Sequence, residues 1–180
     1  MTQILGISGS LRKDSYNSAL LRAAQAMFPA YIERGDIKDI PLYNGDLELA
    51  GVPDAVLRLK QLLMNADGLL LVSPEYNQSM PGVLKNVVDW LSRPSLDVRN
   101  VFRDKPVALI GASPGGFGTI LAQDAWLPVF RGLGARVWNG GRLMVSGASK
   151  VFDDKGKLVD DDIGQRLDQF LRGFISFCEN

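Results

Sequence analysis

Short apolar runs alternate along the chain with longer stretches whose apolar residues recur at helical spacing. Ile4–Ser8 reads as a first strand. Residues 17–28 follow as an amphipathic helix that turns Ala19, Leu20, Ala23, Ala24 and Met27 inward. Residues 31–37 alternate like a half-exposed edge strand, and 53–65 form a helix with Val56, Leu59, Leu62 and Leu63 on one face. Residues 68–73 are almost continuously apolar, as expected of a strand covered on both faces. Gly82–Leu91 is the next helix, ended by Arg93-Pro94, and Pro106–Ala112 a fourth strand. A helix over 119–133, a strand over 135–138 that Leu143–Val145 can continue, and a closing helix over 160–177 complete the pattern. The last helix carries Ile163, Leu167, Phe170, Leu171 and Phe174.

Five alternations of strand and helix with short links predict a doubly wound five-stranded parallel sheet of order 2-1-3-4-5, because right-handed crossovers leave few other arrangements. No linker, repeat or low-complexity tract interrupts it, so residues 1–180 are expected to form one domain. In that order strands 1, 3 and 4 are neighbours, and the loops that follow them leave the same sheet edge, where open α/β sheets bind ligands. The three loops are rich in small and amide-bearing residues: Gly9 to Asn17, Pro74 to Gly82, and Ser113 to Gly118. Each alone has a plain alternative reading, a polar turn between strand and helix. Converging on one edge, they make a site.

The first loop has the composition of a phosphate cradle. Gly9 permits close backbone approach, and Ser10, Ser15 and Ser18 offer hydroxyls. Asn17 stands where a helix N-cap is expected, so free amides and the positive dipole end face the loop. Arg12 adds a planar charged fork suited to phosphate. The loop lacks the Gly-Lys-Ser/Thr ending of a P-loop and the GxGxxG spacing of a dinucleotide fold. In the second loop Pro74 and Pro81 stiffen the backbone, Tyr76 can flank a flat ring and Asn77 can read a heterocycle edge. Glu75 lacks a partner carboxylate for acid–base work. The third loop has three glycines in Gly115-Gly116-Phe117-Gly118, whose backbone can lie flat against a ligand or simply turn.

Composition removes whole classes of chemistry. The sequence has no histidine, which excludes Ser-His-Asp and Cys-His catalysis and every His-ligated metal. A single cysteine, Cys178, allows no intrachain disulfide. Lysine plus arginine and aspartate plus glutamate are 20 each, so no global field favours nucleic acid. No stretch approaches a membrane span and no leader-like segment opens the chain, so a cytoplasmic location without membrane insertion is expected. The aspartates at 153, 154, 160, 161 and 162 do not follow a metal-loop order and read as a solvated turn followed by an acidic helix start.

Gly9-Ser10-Leu11-Arg12 with Ser15 and Asn17 resembles the opening motif of the NADPH-dependent FMN reductase family, the flavodoxin-like quinone, azo-dye and chromate reductases. Pro74-Glu75-Tyr76-Asn77, Pro81-Gly82, Leu84-Lys85-Asn86 and Asp89-Trp90-Leu91-Ser92-Arg93 carry the second block of the resemblance. Ser113-Pro114-Gly115-Gly116, Gln123, Phe152-Asp153, Gly156 and Leu158 complete it, nearly across the chain. The resemblance implies a flavodoxin-like domain that binds FMN without a covalent link. Ser10, Arg12, Ser15, Tyr16 and Asn17 would hold its phosphate, and Pro74, Glu75, Tyr76, Asn77, Ser113, Gly115 and Gly116 its ribityl chain and ring. It also implies a homodimer able to pair into tetramers, and ping-pong turnover. NADPH or NADH would deliver hydride to flavin N5, and a small electron acceptor, a quinone or similar compound, would leave reduced. No side-chain acid or base is then obligatory. Leu121 stands where some relatives carry an arginine, and Asn139-Gly140-Gly141 is an unusual strand ending. A flavodoxin-type electron carrier or a non-catalytic flavin-binding regulator are the alternatives; carriers of that type are strongly acidic, unlike this chain of zero net charge. The surplus apolar residues of Gly82–Leu91, namely Val83, Val87, Trp90 and Leu91, predict that this helix contributes to the dimer interface.

Overall fold

The computed structural model describes residues 2–180. In chain order the elements are β1 (Ile4–Ser8), α1 (Tyr16–Met27), β2 (Ile32–Gly35), α2 (Gly45–Ala50), α3 (Asp54–Asn65), β3 (Gly68–Val72), α4 (Gly82–Leu91) and α5 (Val98–Val101). They continue with β4 (Pro106–Ala112), α6 (Ile120–Leu133), β5 (Arg136–Val137), β6 (Leu143–Val145), α7 (Ala148–Val151) and α8 (Asp161–Cys178). The sheet is parallel in order β2-β1-β3-β4-β5, as the alternation predicts, with β6 as an additional strand beside β4.

The central strands are apolar throughout because both faces are covered. Leu70, Val72, Ala108 and Ile110 face one side and pack with Leu20, Ala24, Leu167, Leu171 and Phe174 of α1 and α8. Their neighbours Leu69, Leu71, Val107 and Leu109 face the other and pack with Leu59, Leu63, Leu84, Val88, Trp126 and Phe130 of α3, α4 and α6. Register Leu5↔Leu69 and Leu69↔Val107 brings the carboxyl ends of β1, β3 and β4 side by side. Thus the three loops share one edge.

Several expectations change in detail. The fifth strand is two short pieces, β5 and β6, which pair with successive parts of β4. Gly140 and Gly141 turn against Trp138, whose ring would lie 2.5 Å and 3.1 Å from a Cβ at those positions. Short α2, α5 and α7 carry too few apolar residues for a sequence period and were not foreseen. Of the expected apolar surplus of α4, Val87, Trp90 and Leu91 are buried within the chain and Val83 is half-buried, and Trp90 Nε1 donates to the Pro41 carbonyl at 2.8 Å. That removes the argument for α4 as a dimer surface. At the other end of the sheet, burial pushes the Cys178 thiol up to about 12, so no thiolate nucleophile forms there near neutral pH. Asp160 caps α8 by accepting from the Ile163 N–H at 2.9 Å, and Asp153 accepts from the N–H groups of Lys155 and Lys157. No described helix is long and apolar enough to cross a membrane.

Candidate functional site

The first loop is fixed at both ends and bare between them. Gly9 N–H continues the ladder by donating to the Val72 carbonyl at 2.9 Å. A Cβ on Gly9 would stand 2.6 Å from Leu84 and 3.0 Å from Pro74, so glycine here lets the first loop press on the second. Residues 11–14 are exposed. The Arg12 guanidinium has no ion-pair partner among the described residues. Beside this loop lies a cleft of about 350 Å³ lined in part by Ser8, Ser10, Ser18, Arg34 and Lys38.

The helix cap differs from the expectation. Ser15, not Asn17, caps α1, its side chain accepting from the Ser18 N–H at 3.2 Å. Asn17 lies inside the first turn, buried, and its amide reaches across to β4. Its Nδ2 donates to the Ala112 carbonyl at 2.8 Å and its Oδ1 accepts from the Ala112 N–H at 2.9 Å. Ser73 N–H still bonds Ile110, but beyond that rung β3 has left the sheet. Asn17 supplies the next pair of bonds in its place. The Tyr16 ring stacks on Phe152 with centroids 6.0 Å apart. What remains open at this helix end are the backbone N–H groups of Tyr16 and Asn17, which have no partner among the described residues.

The second loop is a tight hairpin. Tyr76 and Ser79 exchange both backbone bonds, at 3.0 and 3.1 Å. Asn77 and Gln78 between them are left-handed, with φ of 50° and 62°. Two adjacent non-glycine residues in that region cost on the order of 1 kcal/mol each, and such strain collects at ligand sites. Tyr76 is 45% exposed at the rim. Glu75 turns away from the hairpin and accepts from the N–H groups of Leu121 and Ala122 in α6, at 2.9 and 3.1 Å. Behind it, buried Ser73 donates to the Pro74 carbonyl and accepts from Trp126 Nε1 at 2.9 Å. Trp126 therefore does more than pack.

The third loop is pinned at its flanks. Ser113 N–H bonds Val145, the Ser113 carbonyl accepts from Ala148, and the Gly115 carbonyl accepts from Gly147. Gly118, at φ 63°, sits against the Met144 backbone. By contrast, Gly115 and Gly116 have neither a left-handed φ nor a close neighbour: a Cβ on Gly116 would meet nothing within 4 Å, and one on Gly115 only Ser113 Oγ at 3.6 Å. Nothing in the chain's own packing requires glycine there. The exposed strip they leave is what a flat ligand laid on the backbone needs. Phe117 beside them is 84% exposed.

These residues fit FMN. Free helix amides, the Ser10 hydroxyl and an unpaired guanidinium suit a phosphate dianion. A bare glycine strip and a rigid aromatic-bearing hairpin, carried by neighbouring strands, suit a flat ring.

The NADPH-dependent FMN reductase family model matches residues 2–150. An NAD(P)H-dependent FMN reductase of Pseudomonas aeruginosa is 45% identical over 172 residues, covering 94% of this chain and 91% of the relative. A 2-hydroxy-1,4-benzoquinone reductase from Burkholderia sp is 37% identical over 180 residues, covering 99% of this chain and 97% of the relative. Among solved structures, FerB, an NAD(P)H:(acceptor) flavoenzyme oxidoreductase of Paracoccus denitrificans, is similar with a TM-score of 0.89 at 32% identity. That match covers 99% of this chain and 98% of FerB.

Proposed function

The chain belongs to the NADPH-dependent FMN reductase family, and from that premise we propose how its three loops serve an FMN-dependent NAD(P)H oxidoreductase that reduces quinones. The observation that carries the reading is the bare Gly115-Gly116 strip, for which the fold itself has no use, on the same edge as the free amides of α1. When bound, FMN supplies a ring nitrogen that accepts hydride and a ring system that passes electrons on. The protein's part is to hold and expose it. Arg12, the Ser10 hydroxyl, Ser15 and the backbone N–H groups of Tyr16 and Asn17 would take the phosphate. Pro74, Tyr76, Asn77, Ser113, Gly115 and Gly116 would flank the ribityl chain and ring. The stiff hairpin and the glycine strip would hold the ring from the protein side, and its outward face would stay open to substrates.

A zero net charge weighs against an electron carrier of flavodoxin type, which needs a charged docking face. The direct test is titration of the purified chain with FMN. Saturation at about one FMN per chain, with a yellow protein, is expected; absence of any change in flavin fluorescence would remove the reading.

NAD(P)H and the quinone should occupy one place in turn. No GxGxxG motif offers a separate dinucleotide site, and a ring seated between the loops leaves one exposed face. Initial rates against NAD(P)H at several fixed quinone concentrations should therefore give parallel double-reciprocal lines. Intersecting lines, with a ternary complex detected, would show two separate places.

A further inference from the structure

Helix α6 starts without a cap of its own. Thr119 at its N-cap accepts from no backbone N–H of the first turn, and no acidic residue stands there. The Thr119 hydroxyl instead accepts from Gln123 Nε2 at 3.2 Å. Two of the orphan amides, those of Leu121 and Ala122, are met by the Glu75 carboxylate, 46 and 47 residues earlier in the chain. Glu75 has no ion-pair partner among the described residues, so its charge faces the helix end.

The position of this contact matters more than its strength. Glu75 directly precedes the rigid hairpin of Tyr76 to Ser79, and the first turn of α6 directly follows the Gly115 to Gly118 loop. The hairpin is closed on itself, and the third loop is held at its Ser113–Gly115 end by β6 and α7. The Glu75 carboxylate is therefore the side-chain tie that joins the base of the hairpin to the far end of the glycine loop. We propose that Glu75 is a positioning residue: its carboxylate latches the hairpin to the start of α6 and thereby fixes the width of the gap between the second and third loops, without touching the reacting atoms. The proposal rests on the FMN reading of this crevice, since the gap is where the flavin ring and ribityl chain would lie.

The latch acts on the part of the ligand that FMN and riboflavin share. Glu75→Ala should therefore weaken both flavins alike, by about tenfold, the usual scale for loss of charge-assisted hydrogen bonds. Glu75→Gln keeps an oxygen that can accept from the same amides and should stay within about threefold of wild type. In the flavin-free protein, amide hydrogen exchange at Leu121 and Ala122 should speed by about tenfold or more in Glu75→Ala and to a lesser degree in Glu75→Gln. Wild-type flavin affinities in Glu75→Ala, or a loss in Glu75→Gln as large as in Glu75→Ala, would overturn the proposal. A wild-type chain that binds neither flavin would overturn the FMN reading itself, while exchange at the two amides still reports separately on the latch.

Discussion

Asn17→Ala should lower the stability of the flavin-free protein by about 3 kcal/mol, because it strands two buried backbone groups, each worth roughly 1–3 kcal/mol when unsatisfied. The groups are the N–H and C=O of Ala112, which the Asn17 amide meets at 2.9 and 2.8 Å where β3 has already ended. Asn17→Asp should be no remedy. A carboxylate could still accept from the Ala112 N–H, but its second oxygen would face the Ala112 carbonyl and put an unpaired charge in a buried place. Denaturant unfolding of the three flavin-free proteins measures this directly. A loss below about 0.5 kcal/mol for Asn17→Ala would mean that water or another group replaces the amide at no cost, contrary to the assigned role.

Arg12→Ala should leave the fold intact and weaken FMN by about tenfold to a hundredfold, with little change for riboflavin. The guanidinium is exposed and unpaired within the described chain, so its removal breaks no internal contact. In the proposed site it meets only the phosphate, which riboflavin lacks. Parallel titrations with the two flavins decide the matter: equal losses would place Arg12 outside the phosphate site. The contrast with Glu75 is useful, because one substitution should separate the two flavins and the other should not.

Strand and helix identities were legible because the central strands are buried on both faces. Leu69 to Val72 and Val107 to Ile110 have no polar interruption, and a run of that length flanked by glycine or proline has few other uses. Helices such as Gly82–Leu91 followed from periodicity. The partners of single polar side chains were not legible. Asn17 and Ser15 are both good caps, and spacing does not reveal that one of them reaches a strand 95 residues away. Likewise, counting apolar residues on α4 could not show that the segment at Pro41 already covers Trp90. Glu75 was legible as a loop carboxylate without a catalytic partner, but its target exists only once α6 is in place. The glycines illustrate the same limit. Gly9, Gly115 and Gly116 look alike in sequence, yet the first answers to internal packing and the other two to none.

The broken fifth strand also bears on how copies of this chain can meet. An incoming strand needs several consecutive free N–H and C=O groups along a straight sheet border. Here that border is stepped: β5 has two residues, β6 three, and the turn over Trp138 separates them. The opposite border, β2, is four residues long and carries exposed Glu33 and Arg34. Neither border gives an incoming strand a long straight template in the folded chain.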